Sequence, residues 1–289
     1  MMKNLFRKSK RQRGEGSSLQ AQVDSKYDQV SSRQVLPTRW ADDQFLTPHG
    51  LRADFDLMCA NAGIPLLAYA DHPTFTELTW EFLASFQDDF KEKGNQCMVS
   101  FTINHQYQEL SFIDFCDAFG FPHEGETIIT NAYSVACSDT WEAISVHGGR
   151  TFYQKKMTTI QNSTIRYFTM FLANTLLGRG DMDSMANADM AMITKALFPD
   201  VPNSPNPAAL LIQHFRHQSN KTKGDIRIGG LVTHLAIARG LTLPIAQPVD
   251  GYKLMDSKYL IACGYLGKYR VNPRLRVFQF GYVAGSNDE

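Results

Sequence analysis

Apolar residues recur at every third or fourth position over several stretches of this chain, the spacing that gives a helix one apolar face. The clearest stretch is TFTELTWEFLASF at residues 74–86, which predicts a helix capped by Thr74 or Thr76. Shorter stretches with the same spacing predict helices over residues 54–62, 111–119, 140–146, 163–177, 187–198, 208–217, 231–238 and 257–263. Helices therefore dominate the predicted fold.

A different pattern, rich in β-branched and aromatic residues, spans residues 98–110 and predicts a β-hairpin that turns near Asn104. Ser111 follows it as the predicted N-cap of the next helix. Residues 121–139 show no clear period and are predicted to be irregular, and residues 274–282 alternate like a strand. The predicted fold is mainly α (α+β): a single helical domain over residues 38–250 with a small inserted β-hairpin.

Residues 1–37 are rich in Ser, Gln and charge and poor in large apolar side chains, which predicts a disordered basic N-terminal arm. The arm could act as a nuclear-import signal, bind nucleic acid, or simply solubilise the chain. Its candidate nucleic-acid-binding residues are Arg7, Lys8, Lys10, Arg11 and Arg13.

Residues 251–289 form a predicted C-terminal extension in which basic and aromatic side chains alternate. Such interleaving could bind a phosphate backbone and stack bases. The alternative is an ordinary packed edge whose long basic side chains reach the solvent. The candidate nucleic-acid-binding residues here are Lys268, Arg270, Arg274 and Arg276.

The chain has 29 Lys and Arg residues and 29 Asp and Glu residues, so its net charge is zero. The charges are nevertheless segregated, because residues 41–147 hold three basic and seventeen acidic residues, whereas residues 148–249 hold eleven basic and five acidic ones. Residues 1–40 and 250–289 are also net basic. Segregated charge creates local potentials in a neutral molecule, so a polyanionic partner is not excluded.

A length of 289 residues with 43% hydrophobic side chains excludes a wholly disordered chain and a disulfide scaffold. The five cysteines are far apart and form no CxxC pair, which indicates a reducing intracellular compartment. No apolar stretch is long enough for a signal peptide or a membrane span. We expect a nuclear or cytoplasmic protein without a membrane partner, and the basic arm favours the nucleus.

The chain lacks the familiar signatures of catalysis: GxSxG, HExxH and a Walker phosphate loop are absent. GDIRIGG at residues 224–230 has the wrong glycine order for a phosphate loop and is predicted to be a turn before a helix. The acidic pairs Asp42-Asp43 and Asp88-Asp89 are predicted to be solvated surface. His214 and His217 lie three apart on a predicted helix, a spacing that can hold a metal. Without a nearby Cys or carboxylate, we interpret them as structural.

His72 and His234 are isolated in the sequence and receive the same structural interpretation. No catalytic, cofactor-binding or metal-binding residue is therefore predicted, and the chain is expected not to be an enzyme.

Four ordered segments resemble the first-open-reading-frame proteins of plant Athila-type retrotransposons. STIRYFTMFLANTLLGR at residues 163–179 is similar to their block RYFHRFLANTLFGR, and GDIRIGGLVTHLAIARGL at residues 224–241 to their block GxIxIGGLxTxIAxxxGL. TFTELTWEFLASF and LSFIDFCDAFGF match two earlier blocks in the right order. The resemblance covers about residues 38–250 and implies a plant transposon protein domain.

The resemblance implies a gag-like structural or nucleic-acid-associated role, with nucleic acid or a second copy as partner. Two other functions stay open at this point. One is a domesticated nuclear protein-interaction module related to plant mobile domains, with the acidic region 41–147 as its partner surface. The other is a nuclease or transposase, which the sparse carboxylates of residues 148–249 do not favour.

Overall fold

The computed structural model describes residues 15–145, 156–179, 185–268 and 278–280. The helices are α1 (Glu15–Ser31), α2 (Asp43–Leu46), α3 (Arg52–Ala62), α4 (Thr76–Ser85), α5 (Phe90–Lys93), α6 (Phe112–Phe119), α7 (Asn131–Ile144), α8 (Ser163–Phe171), α9 (Asn187–Leu197), α10 (Pro207–Asn220), α11 (Gly229–Ala238) and α12 (Ser257–Ala262). The strands are β1 (Gln87–Asp88), β2 (Met98–Ile103), β3 (Gln106–Ser111), β4 (Leu266–Lys268) and β5 (Phe278–Phe280). This mainly helical fold confirms the predicted fold class.

Helix α4 lies at the centre of the core and packs against α1, β2, α10 and α11. Its Phe82 ring lies 5.2 Å from the ring of Phe101 on β2 and 5.0 Å from that of Phe215 on α10, measured between centroids. All three side chains are fully buried. The apolar face that predicted this helix is therefore the surface that holds the sheet and the helices together.

The predicted hairpin is confirmed. Strands β1, β2 and β3 form an antiparallel sheet in that order. Ile103 pairs with Gln106, which leaves Asn104 and His105 as a two-residue turn. Both turn residues have positive φ, 49° and 64°, as the tight turn between twisted strands requires.

One predicted helix cap is confirmed and another is wrong. The Ser111 hydroxyl accepts a hydrogen bond from the Asp114 N–H at 3.1 Å, and the Asp114 carboxylate accepts one from the Ser111 N–H at 3.2 Å. This is a reciprocal capping box at α6. Neither predicted threonine caps α4, whose N-cap position is Phe75. The hydroxyl oxygen of Thr74 instead accepts from the Thr38 N–H at 3.2 Å, a contact with a segment distant in the sequence.

Helix α7 begins nine residues earlier than the predicted helix at 140, inside a segment expected to be irregular. The Thr130 hydroxyl caps it by accepting from the Tyr133 N–H at 3.2 Å. Its buried face contains Tyr133, Cys137, Trp141 and Ile144. These residues do follow helical spacing, but the small and polar residues between them hide the pattern.

The helix predicted over residues 163–177 is α-helical only in its first part. Helix α8 ends at Phe171 and continues as one π-helical turn, Leu172–Leu176. The Leu177 N–H donates to the Leu172 carbonyl at 2.8 Å, five residues back. A π-turn adds one residue to the turn and is often found at functional sites.

The core extends beyond the predicted domain boundaries at both ends. Residues 15–31, expected to belong to the disordered arm, form α1, which packs along α4 and buries Val30. Arg33 fixes the end of this segment by donating to the Gln218 carbonyl at 2.7 Å and to its side-chain oxygen at 2.7 Å. This helix is stabilised by long-range packing, which its own composition does not predict.

The C-terminal extension also joins the core before residue 268. The Met255 N–H donates to the Trp40 carbonyl at 2.9 Å. Met255, Leu260 and Tyr265 are buried in the same core as the central helices. Strand β5 pairs with β4 and lies within the run predicted to alternate like a strand.

Candidate nucleic-acid interface

Residues 34–41 lie between two segments that are far away in the sequence. The Leu36 N–H donates to the Ile226 carbonyl on one side, and the Trp40 N–H donates to the Lys253 carbonyl on the other, both at 2.8 Å. These three segments belong to the three net-basic regions of the chain. The fold therefore brings residues of all three regions together.

Gly230 lets α11 approach this central segment closely. A Cβ on Gly230 would lie 2.7 Å from Trp40 Cζ2 and 2.8 Å from Thr38 Cβ, so the site has no room for one. The Thr38 hydroxyl accepts a hydrogen bond from the Gly230 N–H at 2.8 Å and donates to the Arg227 carbonyl at 2.7 Å. GDIRIGG precedes a helix as predicted, but it is not a simple turn: Ile226 forms a bridge with Val35, and the last two glycines already belong to α11.

The guanidinium of Arg39 is held in place by an aromatic ring and an amide. Its Cζ lies 4.4 Å from the centroid of the Tyr259 ring, a cation–π distance. Its Nη1 donates to Asn174 Oδ1 at 3.0 Å, and the Tyr259 hydroxyl donates to the same oxygen at 2.9 Å. Asn174 is itself fixed, because its amide donates to the Met170 carbonyl at 2.9 Å. The π-turn that carries Asn174 thereby positions Arg39.

Arg227 provides a second positive charge beside Arg39. Burial lowers the pKa of Arg39, and the charge of Arg227 lowers it further. Burial raises the pKa of Tyr259, while the positive charges of Arg39 and Arg227 oppose that change. The groups that shift the pKa of Arg39 include no carboxylate. The carboxylate that contacts this pair is that of Asp225, 3.2 Å from Arg227 Nη2 and 41% exposed.

The nine basic residues predicted from sequence are located only in part. Lys268 ends β4, where its backbone pairs with Phe278. The other eight lie outside the described residues: Arg7, Lys8, Lys10, Arg11, Arg13, Arg270, Arg274 and Arg276. Sequence reasoning missed Arg39 and Arg227, since each is a lone arginine in its own segment. Arg227 lies within the family-like segment 224–241, whereas no local pattern marks Arg39.

The three tyrosines of the C-terminal extension whose side chains the structure describes differ in exposure. Tyr259 and Tyr265 are buried, with 6% and 8% of their surface exposed. Tyr265 donates to the Arg166 carbonyl at 3.1 Å, so it is part of the core. Tyr252 is 47% exposed, and its ring centroid lies 6.0 Å from that of Tyr259. Of these three rings, Tyr252 is the one open to a ligand.

His72 and His234, isolated in the sequence, contact each other in the structure. The nitrogens His72 Nε2 and His234 Nδ1 are 3.0 Å apart. The second nitrogen of His234 lies 3.1 Å from the Ala118 carbonyl, so it bears the proton and Nδ1 accepts from His72. The His234 ring also stacks on Phe119, with 5.0 Å between centroids. Burial and the charge of His72 lower the pKa of His234 to about 4.

His214 and His217 point to different environments. Burial lowers the pKa of His214 to about 3, whereas His217 is exposed. Over the ranges that the structure describes, no three His, Cys, Asp or Glu side chains are grouped so that they could hold a metal ion. In the same ranges, no helix combines the length and the apolar character needed to cross a bilayer.

The interpretation of the acidic pairs as solvated surface is wrong for one member of each pair. The Asp88 side chain is 2% exposed, and its Oδ2 accepts from Arg216 Nε at 2.8 Å. Asp42 is 8% exposed and caps α2 by accepting from the Gln44 N–H at 3.0 Å. In both cases, a partner close by compensates the cost of burying the carboxylate. Asp88 is therefore not available as part of an acidic partner surface.

The molecule is a mainly helical protein with a small antiparallel sheet and a pair of arginines from distant segments. The sequence profile of the ATHILA ORF-1 family matches residues 7–284, so the chain belongs to that family. It is a retrotransposon-derived protein of plant type, as the four resembling segments predicted. No curated protein and no protein of solved structure matches the chain.

Proposed function

We propose that this chain is a non-enzymatic, gag-like protein that associates with nucleic acid. The observation that carries the proposal is the meeting of Arg39 and Arg227 next to the start of the C-terminal extension. Clustered positive charge, opposed by the half-exposed Asp225 carboxylate that Arg227 contacts, favours a phosphate backbone, whose counterions are released on binding. Membership of the ATHILA ORF-1 family supports an origin in which such a role is expected.

The basic residues predicted in the N-terminal arm and the C-terminal extension would extend this interface. Arg7, Lys8, Lys10, Arg11 and Arg13 would add contacts from the N-terminal arm. Lys268, Arg270, Arg274 and Arg276 would add contacts from the C-terminal extension. The electrostatic part of the binding energy would then come from many phosphate contacts, each of modest strength.

Self-association is the second element of a gag-like role. The acidic charges of residues 41–147 and the basic charges elsewhere give the molecule two oppositely charged regions. Contact between the acidic region of one copy and the basic region of the next is a head-to-tail arrangement, which can extend to larger assemblies. Salt would weaken such contacts by screening the charges.

A salt titration of the full-length chain on RNA and DNA tests the proposal. The logarithm of the binding constant should fall linearly with the logarithm of salt concentration. Replacing the five basic residues of the arm by Gln should make this slope shallower. The matched control is Arg52→Gln, which removes an exposed arginine within the acidic region. Absence of binding at low salt, together with a strictly monomeric mass, would overturn both elements of the proposal.

A further inference from the structure

The Arg39–Arg227 pair has more hydrogen-bond donors than the structure uses. Within the described residues, the guanidinium of Arg39 makes a single hydrogen bond, from Nη1 to Asn174 Oδ1. The guanidinium of Arg227 makes one, from Nη2 to Asp225 Oδ2 at 3.2 Å, and that carboxylate is 41% exposed. The Nε–H of each arginine is buried without a hydrogen-bond partner. Buried donors without partners are uncommon in folded proteins.

Both arginines are rigidly positioned by their main chains. The Arg39 carbonyl accepts a hydrogen bond from the Thr175 hydroxyl, and the Arg227 carbonyl accepts one from the Thr38 hydroxyl at 2.7 Å. Arg227 is also packed against Gly178, because a Cβ on that glycine would lie 3.4 Å from the Arg227 carbonyl carbon. An arginine pair fixed in this way loses little entropy when an anion binds.

Tyr252 adds an exposed ring next to the pair. One contact links Arg39 to the Tyr259 ring at 4.4 Å, and a second links Tyr259 to Tyr252 at 6.0 Å. Tyr259 already contacts Arg39, so its role is to position that arginine. Tyr252 is open to solvent and can receive a base.

We infer that Arg39 and Arg227 clamp one phosphate group of a single-stranded nucleic acid while Tyr252 stacks on a neighbouring base. This inference rests on the proposed function and specifies its ligand. Two guanidinium forks match the oxygens of a phosphate and bind it through charge-assisted hydrogen bonds. An unpaired base can reach the exposed ring, whereas the stacked bases of a duplex cannot. The site therefore prefers single strands to duplexes.

Fluorescence anisotropy with the full-length chain tests the inference, using a labelled single-stranded oligonucleotide and a duplex of equal length at constant ionic strength. Arg39→Lys and Arg227→Lys keep the charge and remove the fork, so each should weaken single-strand binding about tenfold. Tyr252→Ala should weaken single-strand binding by a similar factor of about ten and leave duplex binding unchanged. The matched controls are Arg52→Lys and Tyr107→Ala, an exposed arginine and an exposed tyrosine elsewhere.

A second experiment distinguishes binding of a nucleic-acid phosphate from binding of free phosphate. Inorganic phosphate should raise the melting temperature of the wild-type chain above that in chloride at equal ionic strength, and Arg227→Lys should reduce this difference. If phosphate stabilises the chain but the three variants bind the oligonucleotide as wild type does, the inference is overturned and the proposed function stands. If the wild-type chain binds no nucleic acid at all, both are overturned.

Discussion

Asp88 and Arg216 form an ion pair that joins the small sheet to α10. The Asp88 side chain is 2% exposed and that of Arg216 is 20% exposed, so the pair lies mostly inside the protein. The contact links β1, which precedes the hairpin, to a helix more than a hundred residues later. It explains how an acidic residue from the most acidic part of the chain is accommodated in the core.

We expect Asp88→Asn to destabilise the protein strongly, because the substitution leaves the Arg216 charge without its partner. The loss in the free energy of unfolding should be roughly 3 kcal/mol, the lower end for a broken buried pair, since Arg216 is partly exposed. Urea unfolding measures it. The neighbouring variant Asp89→Asn is the control, because Asp89 pairs with Lys93 at the surface and its loss should matter much less. Equal losses in the two variants would contradict the assigned role of Asp88.

Thr38→Val tests the hydroxyl that caps α11. The variant keeps the shape of the side chain but leaves the buried Gly230 N–H without an acceptor, which should cost about 1 to 3 kcal/mol of stability. Thermal or urea unfolding measures the change. Thr38→Ser retains the hydroxyl and should lose clearly less. If valine and serine were equally destabilising, packing of the methyl group rather than the hydrogen bond would explain the effect.

The His72–His234 contact predicts a specific acid sensitivity. The pKa of His234 in the folded protein is about 4, below the value of about 6.5 for an unfolded histidine. The unfolded state therefore takes up a proton first as the pH falls. Stability should be fully present above about pH 6.5 and decrease as the pH falls from there towards 4.

Urea unfolding at several pH values between these limits measures this dependence. His234→Gln should make it shallower, because glutamine does not titrate and its amide can still donate to the Ala118 carbonyl. The part that His214 contributes, through its pKa of about 3, should remain. His217→Gln removes an exposed histidine on α10 and should change the dependence much less. An unchanged slope in His234→Gln would show that other groups cause the acid sensitivity.

The cysteines should differ sharply in reactivity. Cys59, Cys97, Cys116 and Cys137 are buried, and burial raises the pKa of Cys97 to about 11 and of Cys116 to about 12. Because the thiolate is the reactive form, these thiols should react only after unfolding. Cys263 is exposed and should react first with a thiol reagent. Cys263→Ser should remove the fast phase of labelling, and a fast phase that persists would place another thiol at the surface.

Local signals in the sequence predicted several elements correctly. The periodic apolar face of α4, the turn at Asn104 and the Ser111 cap each depend on residues within a few positions of one another. Helix α1 and the start of α7 were not predicted, for different reasons. Packing against α4 stabilises α1, and the sequence of α1 does not show that contact. The buried residues of α7 follow helical spacing, but small and polar residues between them hide the pattern.

The sequence by itself determined the family, the helical fold class, the hairpin and the segregation of charge, because these depend on composition and on short-range spacing. Only the tertiary structure decided that Arg39 meets Arg227, that His72 meets His234, and that Asp88 is buried. Each of these contacts joins residues far apart in the chain. Whether such residues meet depends on how the helices pack, and no local pattern encodes that.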